Sequence, residues 1–149
     1  EVAGGAPMPG IPELLARLSV EGSVRLGLAT GNFRDAAFTK LRYFGLEGYL
    51  SEGGFADDAE DRGELVGIAI ERVANGRRTG PADIWVIGDT PLDIAAAQAN
   101  SARSLGVATG SSSEEELRAA GADVTMPDLS DTDAAIRALV GEPRPRARL

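Results

Sequence analysis

An α/β fold, with a Rossmann-like, mainly parallel sheet and helices on both faces, is predicted from three observations. Short apolar runs alternate with amphipathic helical stretches along the chain, the pattern of βαβ units. Several runs end in Gly, Asn, Asp or Thr just before a helix start, as in "LATGN" and "VIGDTP". At 149 residues, with no internal repeat, low-complexity tract or composition shift, the chain fits one domain. Residues 1–141 are read as that core and 142–149 as a flexible polar tail.

The elements follow in order. After the Pro9–Pro12 turn, Leu14, Leu15 and Leu18 mark a short amphipathic helix, and Val24–Thr30 reads as a buried strand broken by Gly31-Asn32. Ala36, Ala37, Phe38, Leu41 and Phe44 recur at helical spacing, and Gly45 suits the C′ position that stops the turn. The acidic stretch "YLSEGGFADDAED" is turn-rich, with a brief strand near Gly54–Ala56. Arg62–Ala74 carries Leu65, Ile68, Ala69 and Val73 in helical register. Then come a strand over Asp83–Ile87, a helix over Pro91–Asn100 and a strand over Arg103–Ala108. "GSSSEEEL" supplies an N-cap serine with acids in the first turn, where the helix dipole favours them, and so predicts the helix Glu114–Ala120. A strand over Asp123–Met126 and a helix over Asp131–Val140 complete the pattern.

Composition narrows the chemistry. With no Cys and no His there is no thiol nucleophile, disulfide, imidazole base or zinc–histidine cluster, so catalysis would fall to Asp, Glu, Ser, Thr, Lys and Arg. Oxygen-ligated Mg²⁺ is the metal such a set suits best. The net charge of −8 and a pI near 4.6 argue against nucleic-acid or anionic-membrane partners. Without a long apolar run or a leader pattern, the expectation is a soluble, cytoplasmic protein. The chain opens at Glu1 on a Gly/Pro-rich lead, and the natural protein is expected to begin earlier.

The most informative stretch is "VIGDTPLDIAAAQAN", in which an apolar run ends at Gly88-Asp89 and Asp93 follows in a helix start. Ligands bind at the carboxyl rim of open α/β sheets, and Asp89 there is an oxygen ligand suited to Mg²⁺. Asp93 has two readings, a second metal acid or a capping-box partner of Thr90. In "LATGN", Thr30, Gly31 and Asn32 lie between strand and helix, where a hydroxyl and free N–H groups can receive an anion; the alternative is that Thr30 and Asn32 cap the helix. Arg62 opens a helix against the unfavourable end of the dipole, a penalty of roughly 0.3–1 kcal/mol. It is either one partner in a local cluster with Asp57, Asp58, Glu60 and Asp61, or a fixed cation facing a phosphate.

"LATGN", then an arginine opening a helix in "DDAEDRGELVGIAIERV", then "VIGDTPLDIAAAQAN" followed by "SLGVATG", resembles the second, third and fourth motifs of the haloacid dehalogenase-like hydrolases, nearest the phosphoglycolate-phosphatase-like branch. "MPGIPELLARL" and "KLRYFGLEGYL" are similar to that branch too, so the resemblance runs from about Pro7 to Val140. It implies a small phosphorylated metabolite as substrate, Mg²⁺ as cofactor and hydrolysis through an aspartyl-phosphate. Thr30, Gly31 and Asn32 would then hold the phosphoryl group, and Arg62, where many relatives carry lysine, would neutralise it. Asp89 would bind Mg²⁺ directly; Asp93 would bind it through water or hold Arg62.

The family's first motif, Asp-x-Asp on a strand end, supplies the nucleophile, and residues 1–28 contain none; Asp131-Thr132-Asp133 comes in the wrong order. The resemblance therefore places the nucleophile upstream of Glu1. It also places its strand between "LGLAT" and "WVIGD", leaving two strand edges without their shared partner. Alternatives are a non-catalytic phosphate-binding or protein-interaction module on the same core, and a dehalogenase or phosphonatase.

Overall fold

The computed structural model describes residues 8–141; the tail read over 142–149 lies outside the described residues. Helix α1 (Ile11–Ser19) leads into β1 (Leu28–Ala29), α2 (Arg34–Tyr43), β2 (Gly53–Gly54) and α3 (Arg62–Ala74). After a 3-10 turn at Pro81–Asp83 come β3 (Trp85–Gly88), α4 (Pro91–Ala99), β4 (Arg103–Val107), α5 (Glu114–Ala119), β5 (Val124–Met126) and α6 (Thr132–Val140). All strand pairs are parallel, and they form two groups, β1–β2 and β3–β4–β5. Leu28 sits opposite Gly53, and Val86 opposite Ser104.

Strand expectations are corrected at β1, β3 and β2. Val24–Thr30 shortens to Leu28–Ala29 because β2, its one partner among the described residues, offers only two positions. Upstream, Val24 closes a turn on Glu21 instead of entering a ladder. Asp83–Ile87 moves to Trp85–Gly88, since Asp83 belongs to the 3-10 turn and its carboxylate accepts from Gly80 N–H at 3.1 Å. The brief strand expected near Gly54–Ala56 lies at Gly53–Gly54. Gly45 follows α2 with φ +70°, a left-handed stop that glycine adopts without Cβ strain.

Burial explains the layers. On one face α1 and α6 cover β4, closing a core of Leu14, Leu18, Leu105, Val107, Leu129 and Ala135. Each fully buried Leu or Val there contributes about 1.5–3 kcal/mol relative to exposure. Gly106 faces the other way, where a Cβ would lie 3.0 Å from Leu117 of α5. On that side Ile94, Ala96 and Ala97 of α4 and Leu65, Val66 and Ala69 of α3 are buried. Helix α3 lies directly on β2, with the Leu65 carbonyl where a Gly54 Cβ would be, 2.2 Å away.

Candidate active site

Parallel strands deliver their carboxyl ends to one rim, so β1 runs into Thr30-Gly31-Asn32 and β3 into Asp89-Thr90. Thr90 caps α4, and Asp93 answers it in a complete capping box with aspartate in the usual glutamate's place. Asp93 Oδ2 accepts from Asp89 N–H and Thr90 N–H, each at 3.2 Å, and from the Thr90 hydroxyl at 3.0 Å. Its Oδ1 lies 3.3 Å from Arg62 Nη1. The Asp93 carboxylate is thus engaged on both oxygens and folds over Gly88, where a Cβ would fall 2.2 Å from its own.

Arg62 is the first residue of α3, whose N-cap Asp61 accepts from Glu64 N–H at 3.0 Å. Its side chain is 37% exposed and its partner's 13%. The local acids have other tasks. Asp58 takes a bidentate grip from Arg72 at 2.7 and 2.8 Å, and that guanidinium, foremost through its hydrogen bond, lowers the Asp58 pKa below the ordinary value. Asp57 accepts from Arg34 N–H at 2.7 Å, the first amide of α2. Of the two readings of Arg62, the local cluster is not met: its ion pair runs across to α4, where Asp93 holds it, and that anion offsets the dipole penalty.

At the β1 end, Thr30 Oγ1 accepts from Asn32 N–H at 3.1 Å, leaving its own proton to donate. The capping alternative for these two residues is not met. The N-cap is Phe33, without a side-chain bond, and Asp57 satisfies the Arg34 amide. The Asn32 carbonyl is tied to Ala56 N–H at 2.9 Å.

Thr30, Asn32, Arg62 and Asp93 are all among the residues lining one trough of about 1250 Å³, which also runs along β1 and β3; of the pairs drawn from different segments, Arg62 and Asp93 are in contact. Its apolar walls include Leu28, Val66, Val73, Trp85 and Ile87. Gly31 and Asp89 do not line it. Asp89 points instead toward the β4–α5 loop, its Oδ2 within 2.5 Å of where a Gly110 Cβ would stand. Sequence reasoning missed Gly110, because a glycine in "ATGSSS" carries only a loop signal. It also missed Asn100, whose amide donates to Gly63 O at 2.9 Å and Ala96 O at 2.8 Å, tying the first turn of α3 to the end of α4.

The donor set fits Mg²⁺ in part. Asp89 is a hard oxygen donor with no hydrogen bond or ion pair to its carboxylate among the described residues, and Mg²⁺ accepts one or two carboxylates plus water and phosphate. With both oxygens engaged, Asp93 fits an indirect role. No group of three or more acidic, His or Cys side chains placed to hold a metal occurs among the described residues.

No curated protein matches the chain significantly. Solved structures do. A "putative beta-phosphoglucomutase" from Thermotoga maritima superposes with TM-score 0.74 at 23% identity, over 88% of this chain and 60% of that one. A "predicted phosphatase" from Clostridium acetobutylicum gives 0.72 at 26%, over 87% and 59%. A haloacid dehalogenase-like family protein from Streptococcus pneumoniae gives 0.72 at 18%, over 88% and 60%. The chain thus spans about three fifths of the length of these relatives. The profile of the haloacid dehalogenase-like hydrolases matches residues 1–100, covering the β1 rim, Arg62 and the Asp89–Asp93 turn, and the chain belongs to that family.

Proposed function

We propose that this chain forms the larger part of a Mg²⁺-dependent phosphomonoester hydrolase of the phosphoglycolate-phosphatase-like branch, acting on a small phosphorylated metabolite. The observation that carries the reading is that Thr30, Asn32, Arg62 and Asp93, from the two strand ends and the start of α3, line one trough. A hydroxyl donor, an amide and a guanidinium held by a carboxylate form a binding set for a phosphoryl group. Thr30 donates its free proton to a phosphoryl oxygen. Arg62, its direction fixed by Asp93, neutralises a second.

The nucleophile is an aspartate on an upstream strand that lies in the trough between β1 and β3. Its carboxylate oxygen forms a bond to phosphorus as the ester P–O bond breaks, and the leaving alkoxide takes a proton from the second aspartate of the same upstream motif, which regains it from the water of the next step. Water then cleaves the acyl phosphate to release inorganic phosphate and restore the carboxylate. Asp89 would hold Mg²⁺, which when bound offsets the charge of carboxylate and phosphate as they approach.

Expression of the complete reading frame, followed by assay on p-nitrophenyl phosphate with and without Mg²⁺, tests the reading. Metal-dependent turnover that disappears on replacing the upstream aspartate supports it. Full activity of the isolated 149 residues would refute an upstream nucleophile. Cation and phosphate binding without turnover in the complete protein would make it a non-catalytic module.

A further inference from the structure

We infer that Gly110 is a positioning residue for Asp89, and that the β4–α5 loop is the wall against which the cation-binding carboxylate is set; the cation part rests on the function proposed above. A Cβ built on Gly110 would lie 2.5 Å from Asp89 Oδ2, 3.2 Å from its Cγ and 3.6 Å from its Cβ. The carboxylate fills the space that any other residue at position 110 would take.

Backbone conformation does not demand glycine there. Gly110 is absent from the positive-φ glycines, which among the described residues are Gly10, Gly45, Gly76, Gly121 and Gly141. The requirement comes from Asp89 alone. The loop is held at both ends: Ala108 N–H donates to Met126 O at 2.9 Å, and Ser113 caps α5 in a capping box with Glu116. Ser112, between Gly110 and that cap, is buried. An added methyl group is therefore accommodated by the Asp89 side chain, the more mobile partner, which turns to another rotamer. Arg62, Thr90 and the Asp89 amide engage both oxygens of Asp93, which leaves Asp89 as the carboxylate of this turn without a hydrogen bond or ion pair among the described residues.

The test compares wild type, Gly110→Ala, Asp89→Asn and the double variant, each expressed from the complete reading frame. Mn²⁺ serves as the probe, its affinity read by water-proton relaxation. Asp89 χ1 is read independently by NMR three-bond couplings without metal. The expected results are a changed Asp89 rotamer in Gly110→Ala, Mn²⁺ affinity lowered by about tenfold or more, as for residues that orient a ligand, and no further loss when Gly110→Ala is added to Asp89→Asn. An unchanged rotamer overturns the inference, as does a changed rotamer with unaltered Mn²⁺ affinity. Wild type that binds no Mn²⁺, or Asp89→Asn that binds it normally, refutes the metal reading and with it the cation part of the inference; the χ1 measurement then decides the steric part separately.

Discussion

Asp93 and Asp89 lie four residues apart and face opposite demands. Asp93 closes the N-terminus of α4 and holds Arg62, so Asp93→Asn is expected to lower stability by about 0.5–2 kcal/mol, the worth of a cap. Asp89 carries no such bonds, so Asp89→Asn should leave stability within about 0.5 kcal/mol of wild type while abolishing Mg²⁺ dependence and turnover of the complete protein. Urea denaturation and metal-dependent assay separate the two outcomes. Arg62→Ala should raise KM for a phosphate ester and lower kcat; a change in melting temperature alone would reduce it to a structural partner of Asp93. Away from the trough, Asp58 provides a pH prediction. Its pKa is lowered in the folded state, so its stabilising effect is complete above the ordinary carboxylate value of 3.8 and is lost as pH falls through the lower folded value. Asp58→Asn should therefore be less stable than wild type at neutral pH, and the gap should close on acidification below 3.8 in parallel thermal melts.

Elements were legible where side chains carry a period. The α3 bounds, Arg62–Ala74, match the expected ones, and α4, α5 and α6 differ from theirs by one residue at one end, because apolar spacing and caps such as Thr90 and Ser113 mark them. Strands were harder. β1 is shorter than the apolar run Val24–Thr30 because a ladder needs a partner of equal length, and that run is half-buried or exposed throughout, not interior. β2 consists of two glycines and has no side-chain pattern; a Cβ on Gly54 would meet Leu65 of α3 and one on Gly53 the Leu28 backbone of β1. Gly54→Ala would set a methyl carbon 2.2 Å from the Leu65 carbonyl, and overpacking of this kind should cost about 1–3 kcal/mol in a denaturation experiment. The site divides the same way. The rim positions of Thr30, Asn32, Asp89 and Asp93 follow from strand ends and turn residues, whereas the contacts of Asn100 and Gly110 depend on helix crossing and loop path, which no local pattern encodes. Asn100→Ala removes one hydrogen bond to Gly63 of α3 and one to Ala96 within α4, and should destabilise by about 1–3 kcal/mol.

The two strand groups are joined mainly through helices, with α3 packed on β1 and β2 and against α4, which lies on β3 and β4. The trough separates the facing edges of β1 and β3. Edges of this kind offer unpaired backbone groups; Leu28 N–H already donates to Glu52 O at 3.1 Å, so under the function proposed above the amide of Ala29 and the edge-facing amides of Trp85–Gly88 should exchange faster in the isolated 149 residues than in the complete protein. Equal exchange would mean that no strand enters between them. No helix among the described residues is long and apolar enough to cross a membrane. A different consequence follows from the packing of α1 on α6, where Arg17 meets Asp133 at 3.1 Å across 116 positions of sequence. During synthesis at about 5–20 residues per second, α1 waits roughly 6–23 s for the helix that covers it. Until then Leu14 and Leu18 lack the cover that Ala135 of α6 gives them, so this face of the core closes only after nearly the whole described chain has been made.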